Sequence, residues 1–235
     1  MRKVNPNDVK GDFTTFINDQ IAYFDRSVAR ITAGQQHADA DLSILAETTL
    51  HSAYVGFERF VSDLLIAYVN RDFSQYQASL KGAITNSVNS KFGAFGVARM
   101  AFTPIKHIKL DDLEVLVDPE GWNQTFSSVE KMKARFNDWV TPALRAGVTA
   151  IDDHNTKFID SMRSVRNFIA HGSKGSKDIM NAALADIATG SPINAPLARG
   201  QHNLHVVGAY LKAKVNGVPR VKIYMTRIRD IAQTM

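Results

Sequence analysis

Apolar side chains recur every three or four residues through much of the first half of the chain, as on one face of an α-helix. This spacing predicts a helix over residues 13–31, ended by Gly34, and a second over residues 39–70. A third helical segment is predicted over residues 76–89, and the glycines of residues 92–96 then interrupt the helical order.

The second predicted helix carries a polar stripe beside its apolar one, formed by Glu47, His51, Glu58 and Ser62. A carboxylate at such an edge is usually a boundary residue with its charged head in water. Glu58 is therefore either a surface residue or part of a site, and the spacing leaves both interpretations open.

Signals for helix starts and helix ends divide the second half of the chain into segments. A short helix is predicted over residues 110–117, and a turn follows at residues 118–121. Ser127 and Glu130 have the spacing of a capping box, which predicts a helix from there to about Trp139.

A long helix is then expected to begin at Thr141 as N-cap, with Pro142 in the first helical position. Its apolar stripe continues to His171, with Gly147 as a kink or restart. Gly172 is predicted to end it in the left-handed conformation.

Beyond it, residues 173–176 are predicted to be a loop, residues 178–188 a helix and residues 190–200 a connector. An Asn-Gly pair within residues 214–218 predicts a small β-hairpin, although helices on either side of a turn also fit. The fold class is therefore an all-α helical bundle with a small C-terminal β-hairpin.

Charge is distributed unevenly along the chain. Residues 1–173 carry 19 basic and 20 acidic side chains, whereas residues 174–235 carry nine and three. We expect a helical domain over residues 1–189 and a basic extension, residues 190–235, packed on the same domain. A basic extension favours polyanionic partners, and a solvated surface explains it equally well.

Composition excludes several classes of site. With no cysteine, the chain has no disulfide, iron–sulfur cluster, thiolate zinc site or cysteine nucleophile. No apolar run approaches about 18 residues and no signal core follows the N-terminus, so we expect a cytoplasmic protein without a membrane partner. The phosphate-loop and Gly-x-Ser-x-Gly motifs are absent.

Five polar residues lie together near the end of the long predicted helix: Asp160, Arg163, Arg166, Asn167 and His171. Arginine offers a fixed fork of donors to phosphate oxygens, and histidine exchanges a proton near neutral pH. Asp160 is placed to pair with Arg163. The same residues also suit a plain helix end, where cations meet the helix dipole for about 0.3–1 kcal/mol each. Spacing alone does not separate these interpretations.

Two further clusters could hold a divalent metal: Glu47 with His51, and Asp152 with Asp153 and His154. Neither has an evident third and fourth ligand, so we expect no metal and no other cofactor.

The segment RNFIAHG, residues 166–172, resembles the Arg-x4-His motif of the HEPN (higher eukaryotes and prokaryotes nucleotide-binding) superfamily in its Arg-Asn-x-x-Ala-His-Gly form. Upstream, residues 52–60 are similar to the second-helix pattern of that family, an apolar stripe with an embedded acidic residue. The resemblance covers about residues 40–175 and is specific over the last dozen.

This resemblance implies an all-α bundle that forms a homodimer with the two motifs facing each other. Many members are metal-independent ribonucleases of toxin–antitoxin, abortive-infection and other defence systems, so RNA and an antitoxin or regulatory protein are the implied partners. By resemblance Arg166 and His171 are the catalytic pair, Asn167 supports them, and Glu58 faces the motif. Toxins partnered with a nucleotidyltransferase carry a tyrosine where this chain has Ser173, so regulation through a modified tyrosine is not expected.

Cleavage of RNA by its own 2′-hydroxyl needs a base, an acid and cationic stabilisation of the phosphorane. The motif supplies one histidine per chain, and a two-fold interface adds a second copy. We therefore expect the two His171 side chains to act as base and acid, with both Arg166 side chains on the phosphate. The alternatives are a non-catalytic HEPN-type module that binds a protein or nucleic acid, and an unrelated helical protein with a well-capped helix.

Overall fold

The computed structural model describes residues 4–33, 36–103, 105, 108–118, 120–121, 124–187, 193–198 and 204–235. Within these ranges the chain forms ten α-helices and a two-stranded antiparallel sheet, which confirms the predicted fold class. The helices are α1 Pro6–Thr32, α2 Ala38–Arg71, α3 Ser74–Val97, α4 Leu110–Val117, α5 Val129–Trp139, α6 Pro142–Thr149, α7 Asp153–His171, α8 Lys174–Asp186, α9 Val207–Lys212 and α10 Arg220–Thr234. The strands are β1 Lys214–Val215 and β2 Val218–Pro219, and a 3-10 helix spans Ala195–Leu197.

The chain divides into two compact units. The first contains Met1–Val9 and Val61–Ala150, and the second contains Lys10–Phe60 and Ile151–Met235. The predicted domain boundary between residues 189 and 190 lies outside the described residues, as do the predicted stop at Gly34 and part of the turn at residues 118–121. Among the described helices, none is both long and apolar enough to cross a bilayer.

The first unit is built around aromatic contacts between helices. Tyr68 of α2 meets Phe136 of α5 edge to face at 6.3 Å, and Tyr76 of α3 meets Trp139 of α5 at 4.8 Å. Phe136 is fully buried, and so is Leu113 of α4. These side chains form the apolar core that the helical spacing predicts for α2 and α5.

The second unit contains α7, which packs against α8. Phe13 of α1 stacks on Phe60 of α2 at 4.7 Å, and Phe158 of α7 stacks on Tyr224 of α10 at 5.6 Å. At the start of α9, the Gly208 amide donates to Glu47 Oε1 at 2.7 Å. A Cβ at Gly208 would meet the Ser43 carbonyl oxygen at 2.7 Å, so α9 lies directly on α2.

The N-terminus of α5 differs from the prediction by one residue. Ser128, and not Ser127, is the N-cap, and its hydroxyl accepts from the Lys131 amide at 3.2 Å. The predicted capping box between Ser127 and Glu130 is therefore wrong. With two adjacent serines, the preceding chain direction decides which one caps the helix.

The long predicted helix is two helices. It breaks at residues 150–152 and not at Gly147, which stays helical within α6. A new helix, α7, then begins with Asp152 as its N-cap, and Asp152 Oδ1 accepts from the Asn155 amide at 2.7 Å. The Asp152 side chain satisfies one of the free amides at the start of α7, which lowers the cost of beginning a new helix there, and glycine inside a helix costs only about 1 kcal/mol.

Gly172 ends α7 in the left-handed conformation (φ 59°, ψ 9°), as predicted. The following residues do not form the predicted loop. Ser173 is the N-cap of α8, and its hydroxyl accepts from the Ser176 amide at 3.2 Å. The two helices are therefore joined through a glycine and a capping serine.

The predicted interruption in residues 92–96 is confirmed at Gly93, whose backbone is not helical (φ 63°, ψ −167°). The predicted hairpin is confirmed but short, with Lys214 paired to Pro219 and Val215 to Val218. Its turn places Asn216 and Gly217 at positive φ. The segments on either side are α9 and α10, not longer strands.

Candidate functional site

The polar cluster lies on α7, whose opposite face is fixed by burial. Phe158, Ile159, Met162 and Val165 are buried in the second unit. Their burial sets the rotation of the helix and leaves the arginines of the motif at the edge of the apolar stripe.

Arg166 is held by two partners. Its Nη2 donates to Glu58 Oε2 on α2 at 3.0 Å, and its Nη1 donates to Asn167 Oδ1 at 3.0 Å. The Arg166 and Glu58 side chains are 24% and 17% exposed. The structure thus brings together three predicted site residues, and Glu58 is a partner of the motif and not a surface residue.

Arg163 and Asp160 also pair, as the sequence predicts, but loosely. Arg163 Nε lies 3.7 Å from Asp160 Oδ1, which is within ion-pair range and too long for a hydrogen bond. The Nε atoms of Arg163 and Arg166 are shielded from solvent and donate no hydrogen bond within the described part of the chain. A buried donor without an acceptor costs free energy, so neither guanidinium is fully satisfied.

Burial and charge together set the protonation of the α2 side chains near the pair of Arg166 and Glu58. Burial raises the pKa of Glu58, and the charges of Arg166 and Arg163 oppose that rise only in part. One turn earlier, burial raises the pKa of Tyr54 far above its ordinary value, and the Glu58 charge adds to the effect. Tyr54 therefore remains protonated at neutral pH.

His51 also belongs to this neighbourhood. Burial lowers its pKa, and the charge of Arg166 lowers it further, so the imidazole is neutral at neutral pH. It lies seven residues before Glu58, two turns away on the same face of α2. The sequence indicated it only as a metal ligand; its place in the polar stripe with Glu58 was the signal that it belongs near the motif.

His171 lies apart from the other motif residues. It is the last residue of α7, its side chain is exposed, and it makes no hydrogen bond to any described residue. His171 lies five positions after Arg166, which corresponds to about 140° around the helix and about 7.5 Å along it. The structure therefore brings Glu58, Arg166 and Asn167 together but does not bring His171 to them within one chain.

The two candidate metal clusters contain side chains with other roles. Glu47 accepts from the Gly208 amide, and Asp152 caps α7. Among the described residues, no three histidine, aspartate or glutamate side chains lie close enough together to hold an ion.

Several cations of the basic C-terminal region are already paired. Lys212 Nζ lies 2.6 Å from Asp39 Oδ1, Lys222 Nζ lies 2.7 Å from Asp25 Oδ2, and Arg229 binds its neighbour Asp230. Charge counted along the sequence therefore overstates what this region offers a polyanion.

No family model, curated protein or solved structure matches this chain. The likeness to the HEPN superfamily consequently rests on the sequence of the motif alone.

Proposed function

We propose that this chain is a metal-independent endoribonuclease of toxin or defence type, with an active site assembled from two copies. The observation that carries the proposal is the state of Arg166. Its guanidinium is fixed by Glu58 and Asn167, yet the side chain remains partly exposed. A fixed arginine side chain that is still partly exposed suits recognition of a phosphate.

The geometry of one chain also supports the need for a second. His171 is exposed at the end of α7, well away from the face on which Arg166 meets α2. A two-fold interface at the end of α7 would place the histidine of one chain beside the arginine of the other.

The proposed reaction uses no cofactor. One His171 removes the proton of the 2′-hydroxyl, whose oxygen attacks the phosphorus, while the second His171 protonates the departing 5′-oxygen. The two Arg166 side chains stabilise the charge of the phosphorane. The P–O5′ bond breaks, leaving a 2′,3′-cyclic phosphate and a 5′-hydroxyl.

The test is cleavage of end-labelled RNA by purified protein in EDTA. We expect wild-type protein to cut, and His171→Ala and Arg166→Ala to lose at least about a hundredfold in rate. His37→Ala and Arg30→Ala, which change exposed residues of the same types, serve as controls and should retain activity. RNA with a 2′-deoxy nucleotide on the 5′ side of the cleavage site should not be cleaved. Loss of activity in EDTA, or full activity in both motif variants, would contradict the proposal.

A second candidate function is a non-catalytic binding module. It is favoured by the pairing of both arginines with carboxylates, Arg163 with Asp160 and Arg166 with Glu58, as in a purely structural cluster. Expression in a host distinguishes the two candidate functions. A nuclease toxin should arrest growth unless His171 is replaced, whereas a binding module should be tolerated in both forms.

A further inference from the structure

Helix α3 is largely unburied. It spans 24 residues, and Tyr76 in its first turn is the residue it buries, against Trp139 of α5. Apolar side chains follow Tyr76 at every fourth position, at Leu80, Ile84, Val88 and Phe92. A helix face that continues beyond its packing partner, with no cover among the described residues, is available to bind something else.

The apolar side chains of this segment are large and open to solvent. Phe92 and Phe95 are each 68% exposed, and Leu80, Ile84 and Phe102 are exposed as well. We call these five residues the α3 face, although Phe102 lies beyond the end of α3. All of them belong to the first unit.

Residues 73–110, which include the α3 face, carry charge of a single sign along the sequence. Residues 73–110 contain no aspartate or glutamate and five basic residues, including Lys81, Lys91 and Arg99. Two of these cations lie over its rings: Arg99 is 3.4 Å from the centre of the Phe95 ring, and Lys81 Nζ is 5.4 Å from that of Phe102. Apolar and cationic groups are therefore in contact at two points, Phe95 with Arg99 and Phe102 with Lys81.

The geometry points to the α3 face as a docking site for an anionic lipid surface. A segment that exposes phenylalanine and leucine beside basic residues can rest on a membrane, with its apolar side chains reaching the boundary between headgroups and acyl chains. Lys81, Lys91 and Arg99 then meet the lipid phosphates, as basic residues beside an acidic leaflet do. This is binding at the surface, without a spanning helix, and it departs from the sequence-based expectation of no membrane partner.

The same residues argue against other occupants. A second copy of the chain would bring like charges together across a two-fold axis, with no acidic residue in residues 73–110 to oppose them. Single-stranded RNA would stack its bases on aromatic rings, but Leu80 and Ile84 offer it nothing, and Phe95 and Phe102 already have a cation over the ring. A lipid surface uses the aliphatic, aromatic and cationic groups together.

The test is flotation of the full chain with phosphatidylcholine vesicles, with and without phosphatidylserine. We expect binding only when phosphatidylserine is present, and a loss of at least about tenfold in affinity for Phe92→Ser/Phe95→Ser and for Lys81→Glu/Lys91→Glu. Ile179→Ser/Val206→Ser, which removes two comparably exposed apolar side chains from the second unit, is the matched control and should bind normally.

Hydrogen exchange provides a readout that does not depend on these variants. Amides of residues 80–97 should exchange readily in solution and become protected on phosphatidylserine vesicles, because the free part of α3 has little packing to stabilise it. No flotation with either vesicle, or equal flotation of all variants, would overturn the inference. So would binding to single-stranded RNA that only the α3 variants lose, since the face would then be a nucleic-acid surface. The outcome is independent of nuclease activity.

Discussion

The contact between Arg166 and Glu58 shows how one pair of side chains ties the motif to the rest of its unit. The two residues are 108 positions apart, and their 3.0 Å ion pair joins α7 to α2. The raised pKa of Glu58 shows that burial outweighs the attraction of both arginines. The pair is therefore better at fixing a geometry than at adding stability.

Removing the Glu58 carboxylate should lower the free energy of unfolding by more than the ion pair itself contributes to it. Glu58→Ala leaves a half-buried guanidinium without its partner, so we expect a loss of about 1–3 kcal/mol in the free energy of unfolding. Urea denaturation measures it. Glu130→Ala, which breaks an exposed pair with Lys133, should change stability by less than about 0.5 kcal/mol. Equal effects of the two substitutions would show that burial of Glu58 has no energetic consequence.

The protonation of Glu58 gives a pH dependence of known sign. Because its folded pKa is above 4.5, the folded state holds the proton after the unfolded state has released it. Stability from this group is present at low pH and is lost as pH rises above about 4.5 toward the folded pKa. The difference in unfolding free energy, wild type minus Glu58→Gln, should fall across that range. A difference that grows with pH would refute the assignment.

His51 should show the opposite slope. Its folded pKa is below 6.5, so the unfolded state takes up a proton first as pH decreases. Stability from the neutral imidazole is present above pH 6.5 and is lost on acidification below it. Denaturation series from neutral to mildly acidic pH should therefore show less acid destabilisation in His51→Asn than in wild type. An identical dependence of stability on acid pH in both proteins would show that burial does not lower the pKa of His51.

At the scale of helices and turns, periodic spacing predicted where helices lie better than where they begin. The bounds of α4 were predicted to the residue, because a short apolar pattern is followed by a turn signal. The starts of α5, α7 and α8 were wrong, since serine and aspartate residues near each start compete to cap the helix. The choice depends on how the preceding chain enters, which is a tertiary property.

The turn at Gly172 allows a comparison of Gly172 with Gly175, of which only Gly172 has positive φ. Neither Gly172 nor Gly175 has any atom within 4 Å of an added Cβ, but only Gly172 has positive φ. Gly172→Ala should lose about 1 kcal/mol of unfolding free energy, whereas Gly175→Ala should be neutral or slightly stabilising. Thermal and urea denaturation of both variants check this. If both lose stability equally, the left-handed conformation is not the reason for glycine at this position.

For the molecule as a whole, the sequence predicted the parts of the site that are local and missed those set by packing. Asp160, Arg163, Arg166 and Asn167 share one helix, so their proximity follows from helical spacing. Spacing places His51 beside Glu58 on α2, but its proximity to the motif depends on how α2 and α7 pack in the second unit, which spacing does not give. The openness of α3 was equally hidden, because periodicity identifies an apolar face without saying whether anything covers it.

The proposed composite site makes activity depend on both chains of a dimer. If both histidines act at one site, mixing wild-type protein with an excess of His171→Ala should lower activity per wild-type chain, since most wild-type chains then have a defective partner. RNA cleavage at fixed wild-type concentration measures this. The same excess of His37→Ala should have no effect. Unchanged activity with His171→Ala, after subunit exchange is verified, would mean that each chain works alone.

The two-residue junction between α7 and α8 has an evolutionary consequence. Because Gly172 ends one helix and Ser173 caps the next, one added residue would change the direction in which α8 leaves α7 and misalign the apolar faces on which they pack. Insertions and deletions should therefore be absent here in any homologue, however divergent.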